Sequence, residues 1–253
     1  MSSTRQYLRT GREYRIVLWD ERTRETDTEV PVVILSHGIG TSHENPLIAV
    51  LAKRLLAHGY EVVRYDLAGH GQSGGGIKDR LVTNFINDLA DVVSWCTERR
   101  KADRRGVILI GHSIGALSTL LVAHRIRQLR GVVLIGCNAQ AKKKFHELMA
   151  KGKVRKLARY WIIGRAKVAL GFWKDRFRLE PERFAKKITA PVLVVCGTND
   201  VTNPPADSRT LFRWLKGPKE LRLIPGTDHY FREQRPRKLI SQHILRWLDR
   251  LIK

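Results

Sequence analysis

The chain has 253 residues, 43% of them apolar, which is enough for one large α/β domain or two small ones with a sizeable core. No apolar run approaches the roughly 18–20 residues of a membrane span, and the polar start Met1-Ser2-Ser3-Thr4-Arg5-Gln6 leads into no apolar signal segment. Lys and Arg number 47 against 24 Asp and Glu, and a net charge of +23 can draw nucleic acid, anionic lipid or an anionic substrate, or simply form a solvated surface. The three cysteines, Cys96, Cys137 and Cys196, fall in no metal-ligand spacing. They read as small core residues in a reducing compartment, so a cytoplasmic protein with no metal or other cofactor is expected.

In chain order, Arg12–Asp20 alternates as an edge strand should, and a polar turn over Glu21–Glu29 leads to the wholly apolar Val32-Val33-Ile34-Leu35. That central strand ends in Ser36-His37-Gly38-Ile39-Gly40. Asn45-Pro46 then reads as the cap and first residue of a helix whose apolar face is Leu47, Ile48, Leu51 and Leu55, with Gly59 as its stop. A strand over Tyr60–Tyr65 runs into the glycine-rich loop Asp66–Gly76. Phe85, Leu89, Val92, Val93 and Cys96 mark an amphipathic helix from Asn84 to Arg99.

Val107-Ile108-Leu109-Ile110 is the next buried strand. It meets Gly111-His112-Ser113-Ile114-Gly115, and Leu117, Leu120 and Leu121 follow at helical spacing. Strand therefore becomes helix within about two residues, with Ser113 on the turn in a strained conformation. The glycines at 111 and 115 are expected because a Cβ on either would strike the opposite arm. Gly131–Ile135 is a further strand, closing at Gly136-Cys137-Asn138.

From Ala139 to Thr189 the strand rhythm stops. This segment carries 16 Lys and Arg against 4 Asp and Glu, a net of +12. Tyr160, Trp161, Phe172, Trp173 and Phe177 are spaced through it, and it reads as helical. Strand pattern resumes over Pro191–Cys196 and ends at Gly197-Thr198-Asn199-Asp200. A helix closes at Leu215, a last strand spans Glu220–Ile224, and Pro225-Gly226-Thr227-Asp228-His229 follows. The final helix puts Ile240, Ile244, Trp247, Leu248 and Leu251 on one face.

Such alternation implies an α/β fold with a doubly wound, mostly parallel sheet. Residues 1–138 and 190–253 would form its core domain, and 139–189 a helical, basic cap inserted after the sixth strand. Ligands bind such sheets beyond the carboxyl ends of the strands, where Ser113, Asp200, His229 and Gly38-Ile39 all fall.

A serine hydroxyl needs an adjacent base, and an imidazole needs a carboxylate to fix its tautomer. Ser113, His229 and Asp200 fit these roles in the order Ser, Asp, His. His112 should point away from the serine, while His37 and His70 could instead order loop backbone. Asp66 is the competitor for the acid, and Asp228 stands too close along the chain to orient the ring. The amides of Ile114, at a helix start, and Ile39 are the expected oxyanion donors.

Together, His37-Gly38-Ile39-Gly40, Asp66-x-x-Gly69-His70-Gly71-x-Ser73-Gly74, Gly111-His112-Ser113-Ile114-Gly115, Gly197-Thr198-x-Asp200 and Gly226-x-Asp228-His229 resemble the α/β-hydrolase superfamily. The likeness is to its serine esterases, monoglyceride-lipase-like enzymes and S33-type peptidases, and it spans about residues 12–252 apart from the cap. It implies nucleophile Ser113, acid Asp200, base His229, and oxyanion amides at 39 and 114. A serine sets this chain apart from the dehalogenases and epoxide hydrolases, which use Asp.

The expected function is hydrolysis of acyl or aromatic-acyl esters through an acyl-serine intermediate. A thioesterase, an amidase or peptidase, and a non-catalytic binding protein on the same fold stay open. Candidate substrate contacts are His37, Gly38, His112, Trp161 and Trp173. A small-molecule ester is the expected partner and anionic lipid a peripheral one. Nucleic acid ranks below both, since no recognised module accompanies the charge.

Overall fold

The computed structural model describes residues 2–23, 26, 30–100 and 105–252, with only the backbone of Arg99 and Arg100. Four strands made almost wholly of branched apolar residues build the centre: β3 (Val32–Ser36), β5 (Val107–His112), β6 (Leu129–Ile135) and β10 (Val192–Gly197). With β1 (Ser2–Arg9), β2 (Arg15–Arg22), β4 (Val62–Tyr65) and β11 (Lys219–Ile224) they form an eight-stranded sheet ordered β1-β2-β4-β3-β5-β6-β10-β11. The β1–β2 and β2–β4 pairs are antiparallel, and the rest are parallel.

Successive residues of a strand face opposite sides, so both faces of the sheet are cores. Val32, Ile34, Leu109, Val132 and Val194 pack with α2 (Val82–Arg100) and α3 (Ile114–Ala123). Val33, Leu35, Ile108, Ile110, Val133 and Val195 pack with α1 (Pro46–Leu56) and α8 (Gln234–Ile252). Asn45 caps α1 as its sequence requires, its Oδ1 accepting from the Leu47 amide at 3.0 Å. A helix α7 (Pro205–Trp214) joins β10 to β11.

Two expectations need correction. The polar N-terminal residues form β1, an edge strand whose side chains are almost all exposed and so carry little apolar signal. Residues 139–189 are not purely helical. Beside α4 (Ala141–Ala150), α5 (Phe172–Phe177) and α6 (Pro181–Ala185), they contain an antiparallel sheet of β7 (Val154–Lys156), β8 (Tyr160–Ile163) and β9 (Ala166–Ala169). Strands of three or four residues are too short for alternation to stand out from a basic background. The polar turn expected over 21–29 lies partly outside the described residues, and its first two residues belong to β2.

The inserted segment is fastened to the main sheet's loops. A Cβ on Gly40 would meet that of Ala166 at 3.0 Å. Arg80 Nη1 donates to the Lys167 carbonyl at 2.9 Å. Asp175 accepts from both the Thr83 amide and the Thr83 hydroxyl.

Candidate active site

Ser113 sits between β5 and α3 with φ 56° and ψ −115°. Only it and Phe231 among the described non-glycine residues have positive φ, a strained state that the surrounding structure must enforce. Its amide donates to the Ile135 carbonyl at 2.9 Å and its carbonyl accepts from the Leu117 amide at 3.1 Å. Gly111 is required as expected: its Cβ would stand 2.5 Å from the Gly115 carbonyl oxygen across the turn. Gly115 is required for another reason. Its Cβ would meet the carbonyl oxygens of His37 and Ser36 at 2.5 and 2.6 Å, so α3 starts directly against the end of β3 rather than against its own arm.

His229 joins two groups distant in sequence. Its Nε2 lies 3.0 Å from Ser113 Oγ and its Nδ1 lies 2.7 Å from Asp200 Oδ2. A carboxylate only accepts, so Nδ1 carries the proton and Nε2 presents a lone pair to the hydroxyl. Both His229 and Asp200 are buried, with relative exposures of 4% and 2%. Asp200 Oδ1 accepts from the amides of Thr202 and Asn203 at 2.9 and 2.6 Å, which turns Oδ2 toward the imidazole.

One supporting residue, Asn203, escaped the sequence reading. Asn203 Nδ2 donates to the Gly136 carbonyl at 2.6 Å. Gly136 in turn lies under the His229 ring, where a Cβ would stand 3.2 Å from Nδ1. The available signal was the turn Asp200-x-x-Asn203, since an Asp that opens a turn binds amides just ahead of it. His112 Nε2 donates to the His229 carbonyl at 2.9 Å. Its ring is buried and supports the His229 backbone. Burial lowers its imidazole to about 3.

The other histidines also hold backbone. His37 Nδ1 donates to the Gly38 carbonyl at 2.8 Å and Nε2 accepts from the Leu67 amide at 3.0 Å. Its ring is fully buried. His70 donates to the Ala68 carbonyl at 2.8 Å and accepts from the Gly40 amide at 3.0 Å, and burial lowers it to about 3. These two rings fasten the loop that carries Ile39. Gly38 adjoins the serine: a Cβ there would stand 3.4 Å from Ser113 Cβ.

Asp66 is committed elsewhere. It accepts from the His43 amide, His43 Nδ1 and the Gln72 amide at 2.7–3.0 Å. Burial opposes its ionisation, but these bonds prevail and lower it below the usual carboxylate range. Asp228 accepts from the Tyr230 amide at 3.1 Å. Trp173 is buried among Phe145, Phe172 and Phe177, and Trp161 stands edge-on to Phe145, so these aromatics pack the inserted segment together.

Residues 28–175 match the family described as serine aminopeptidase, S33, and residues 176–252 match the family described as PhoPQ-activated pathogenicity-related protein. A monoacylglycerol lipase of Mycolicibacterium smegmatis is 26% identical, with 92% of each chain covered. Est1E of Butyrivibrio proteoclasticus, solved with ferulic acid bound, superposes with a TM-score of 0.82 at 20% identity, covering 98% of this chain and 99% of that one. Alpha/beta hydrolase domain-containing protein 10 from mouse superposes with a TM-score of 0.78 at 16% identity, covering 98% and 99%. These superpositions establish the α/β-hydrolase fold.

Proposed function

The chain belongs to the serine aminopeptidase S33 family of α/β hydrolases, and on that premise we propose that it cleaves carboxylic esters through an acyl-serine intermediate. The observation that carries this reading is the imidazole of His229 held between Ser113 Oγ and Asp200 Oδ2. His229 takes the Ser113 proton as the oxygen attacks the carbonyl carbon. The tetrahedral oxyanion accepts from the amides of Ile114 and Ile39. The imidazolium, stabilised by Asp200, gives its proton to the leaving alcohol as the carbonyl re-forms. Water then enters, His229 takes its proton, and the acid departs from Ser113.

The lipase and esterase relatives support an ester as substrate, whereas the family's own description carries a peptide bond. One preparation assayed on p-nitrophenyl butyrate, butyryl-coenzyme A and an aminoacyl-anilide separates ester, thioester and amide cleavage. The ester should be turned over fastest, with a butyryl adduct on Ser113 detectable by mass spectrometry after rapid acid quench. Preference for the anilide would replace the reading with a peptidase.

The basic inserted segment would meet anionic lipid peripherally. Between residues 148 and 174 the sequence has eight Lys and Arg and no acid. Met149, Leu157 and Leu170 are exposed in the same stretch, as fits a surface that adds apolar contact to charge attraction. No helix among the described residues is long and apolar enough to cross a membrane. Cys96, Cys137 and Cys196 are free and buried, which fits a reducing compartment such as the cytoplasm.

A further inference from the structure

Under the inserted segment, next to the end of β6, lies a cation with no carboxylate bonded to it. Arg176 of α5 is buried, and its Nη2 donates to the carbonyl and to Oδ1 of Asn138, both at 3.0 Å. Both acceptors are neutral. The guanidinium stacks over the Trp173 ring, 5.6 Å from its centre. Arg176 Nε and Trp173 Nε1 are buried donors without a partner among the described residues.

The nearby acids are already engaged. Asp207 Oδ2 accepts from Asn138 Nδ2 at 2.7 Å and Oδ1 from Lys143 Nζ at 2.9 Å. Asp200 is turned to His229. A second cation, Lys144, is also buried, and its nearest carboxylate is Glu147 at 3.8 Å. Arg176 is thus a buried cation whose direct hydrogen-bond partners are all neutral, and the nearby Asp207 is already bonded to Asn138 and Lys143. Buried charges are ordinarily paired because the desolvation cost is otherwise uncompensated. Burial accordingly pushes the Arg176 guanidinium down to about 10.

The cluster adjoins the reacting groups. Asn138 lies two residues beyond Gly136, which faces the His229 ring, so the Arg176 partner and the imidazole flank the same short turn after β6. We propose that Arg176 binds a carboxylate carried by the substrate, a few carbons from the scissile carbonyl, and so selects half-esters of dicarboxylic acids. The substrate then supplies the carboxylate that Arg176 lacks as a direct partner. The unpartnered Nε, and Trp173 Nε1 beside it, supply donors for it.

This inference rests on the esterase reading, and the experiment keeps the two apart. Methyl hexanoate and methyl heptanoate, with monomethyl adipate and monomethyl pimelate as their charged counterparts, are followed by pH-stat titration at 0.15 M salt. The native protein should favour the charged ester of each pair by about tenfold or more in kcat/KM, as sites built around a substrate's polar group do. Arg176→Met should abolish that preference while the neutral esters are still cleaved, and Arg176→Lys should retain part of it. Lys216→Met, an exposed residue elsewhere, should leave the ratio as it was.

Equal rates for charged and neutral esters in the native protein, or a preference that survives Arg176→Met, would overturn the subsite. If no ester is cleaved, the esterase reading has failed. The subsite is then read by whether adipate, but not hexanol, slows fluorophosphonate labelling of Ser113. Should Arg176→Met fail to fold, Trp173→Phe removes one donor and keeps the ring, and a reduced preference for the charged ester is expected.

Discussion

His37, His70 and His112 are neutral because each ring nitrogen that carries a proton faces a carbonyl, and burial disfavours a charged ring. For a base lowered from 6.5 to about 3, the unfolded chain takes up protons first as pH falls. Stability from His70 and His112 is therefore full above about pH 6.5 and drains away between there and about pH 3. Between pH 7 and 5 the loss should be about 2 kcal/mol per histidine. Urea unfolding of the native protein and of His70→Phe at the two pH values tests this: the variant's pH dependence should be smaller by that amount, and equal slopes would reject it. The sequence could suggest that His37 and His70 order loops, but not that each would also accept from an amide of another loop, Leu67 for His37 and Gly40 for His70. Ser113, Asp200 and His229 were legible for a different reason. Each lies within about five residues of the carboxyl end of a strand, and such strand ends converge on one edge of a parallel sheet.

The turn from β5 into α3 is where local rules and global packing agree. Gly111 is explained by the turn itself and was readable from five residues. Gly115 is explained by the end of β3, which is nearly eighty residues earlier in the chain and only adjacent once the sheet forms. Gly115→Ala should cost about 3 kcal/mol or more, since the obstacle is backbone of a central strand that cannot swing aside. A fall in the urea midpoint of less than a third of that would contradict the packing described. The inserted segment shows the opposite case. Its aromatics and lysines obscure the short strands β7 to β9, and its placement depends on single contacts such as Asp175 with Thr83. Asp175→Ala should loosen that anchor, raising amide exchange in α5 without affecting the central strands. Unchanged exchange in α5 would show that the anchor is dispensable.

Across the whole molecule the charge is the feature that neither the fold nor the triad requires. A net of +23 with an acid-free stretch over 148–174 predicts strong retention on vesicles containing phosphatidylserine at low salt. Retention should collapse at 0.5 M salt and be absent on phosphatidylcholine alone. Equal binding to both vesicles, or binding to nucleic acid at physiological salt in their place, would reverse the reading. Fold class was legible because alternating apolar strands and helices leave one economical arrangement. Purpose of the charge was not, because the same lysines serve a solvated face or a docking one. The claim on which everything turns is that Ser113 is the nucleophile activated by His229. Turnover of p-nitrophenyl butyrate by Ser113→Ala, alongside fluorophosphonate labelling of the native chain, tests it most directly. The account predicts one label, on Ser113, and a loss of kcat on the order of 10⁴ or more in the variant. Near-native turnover by Ser113→Ala would contradict it.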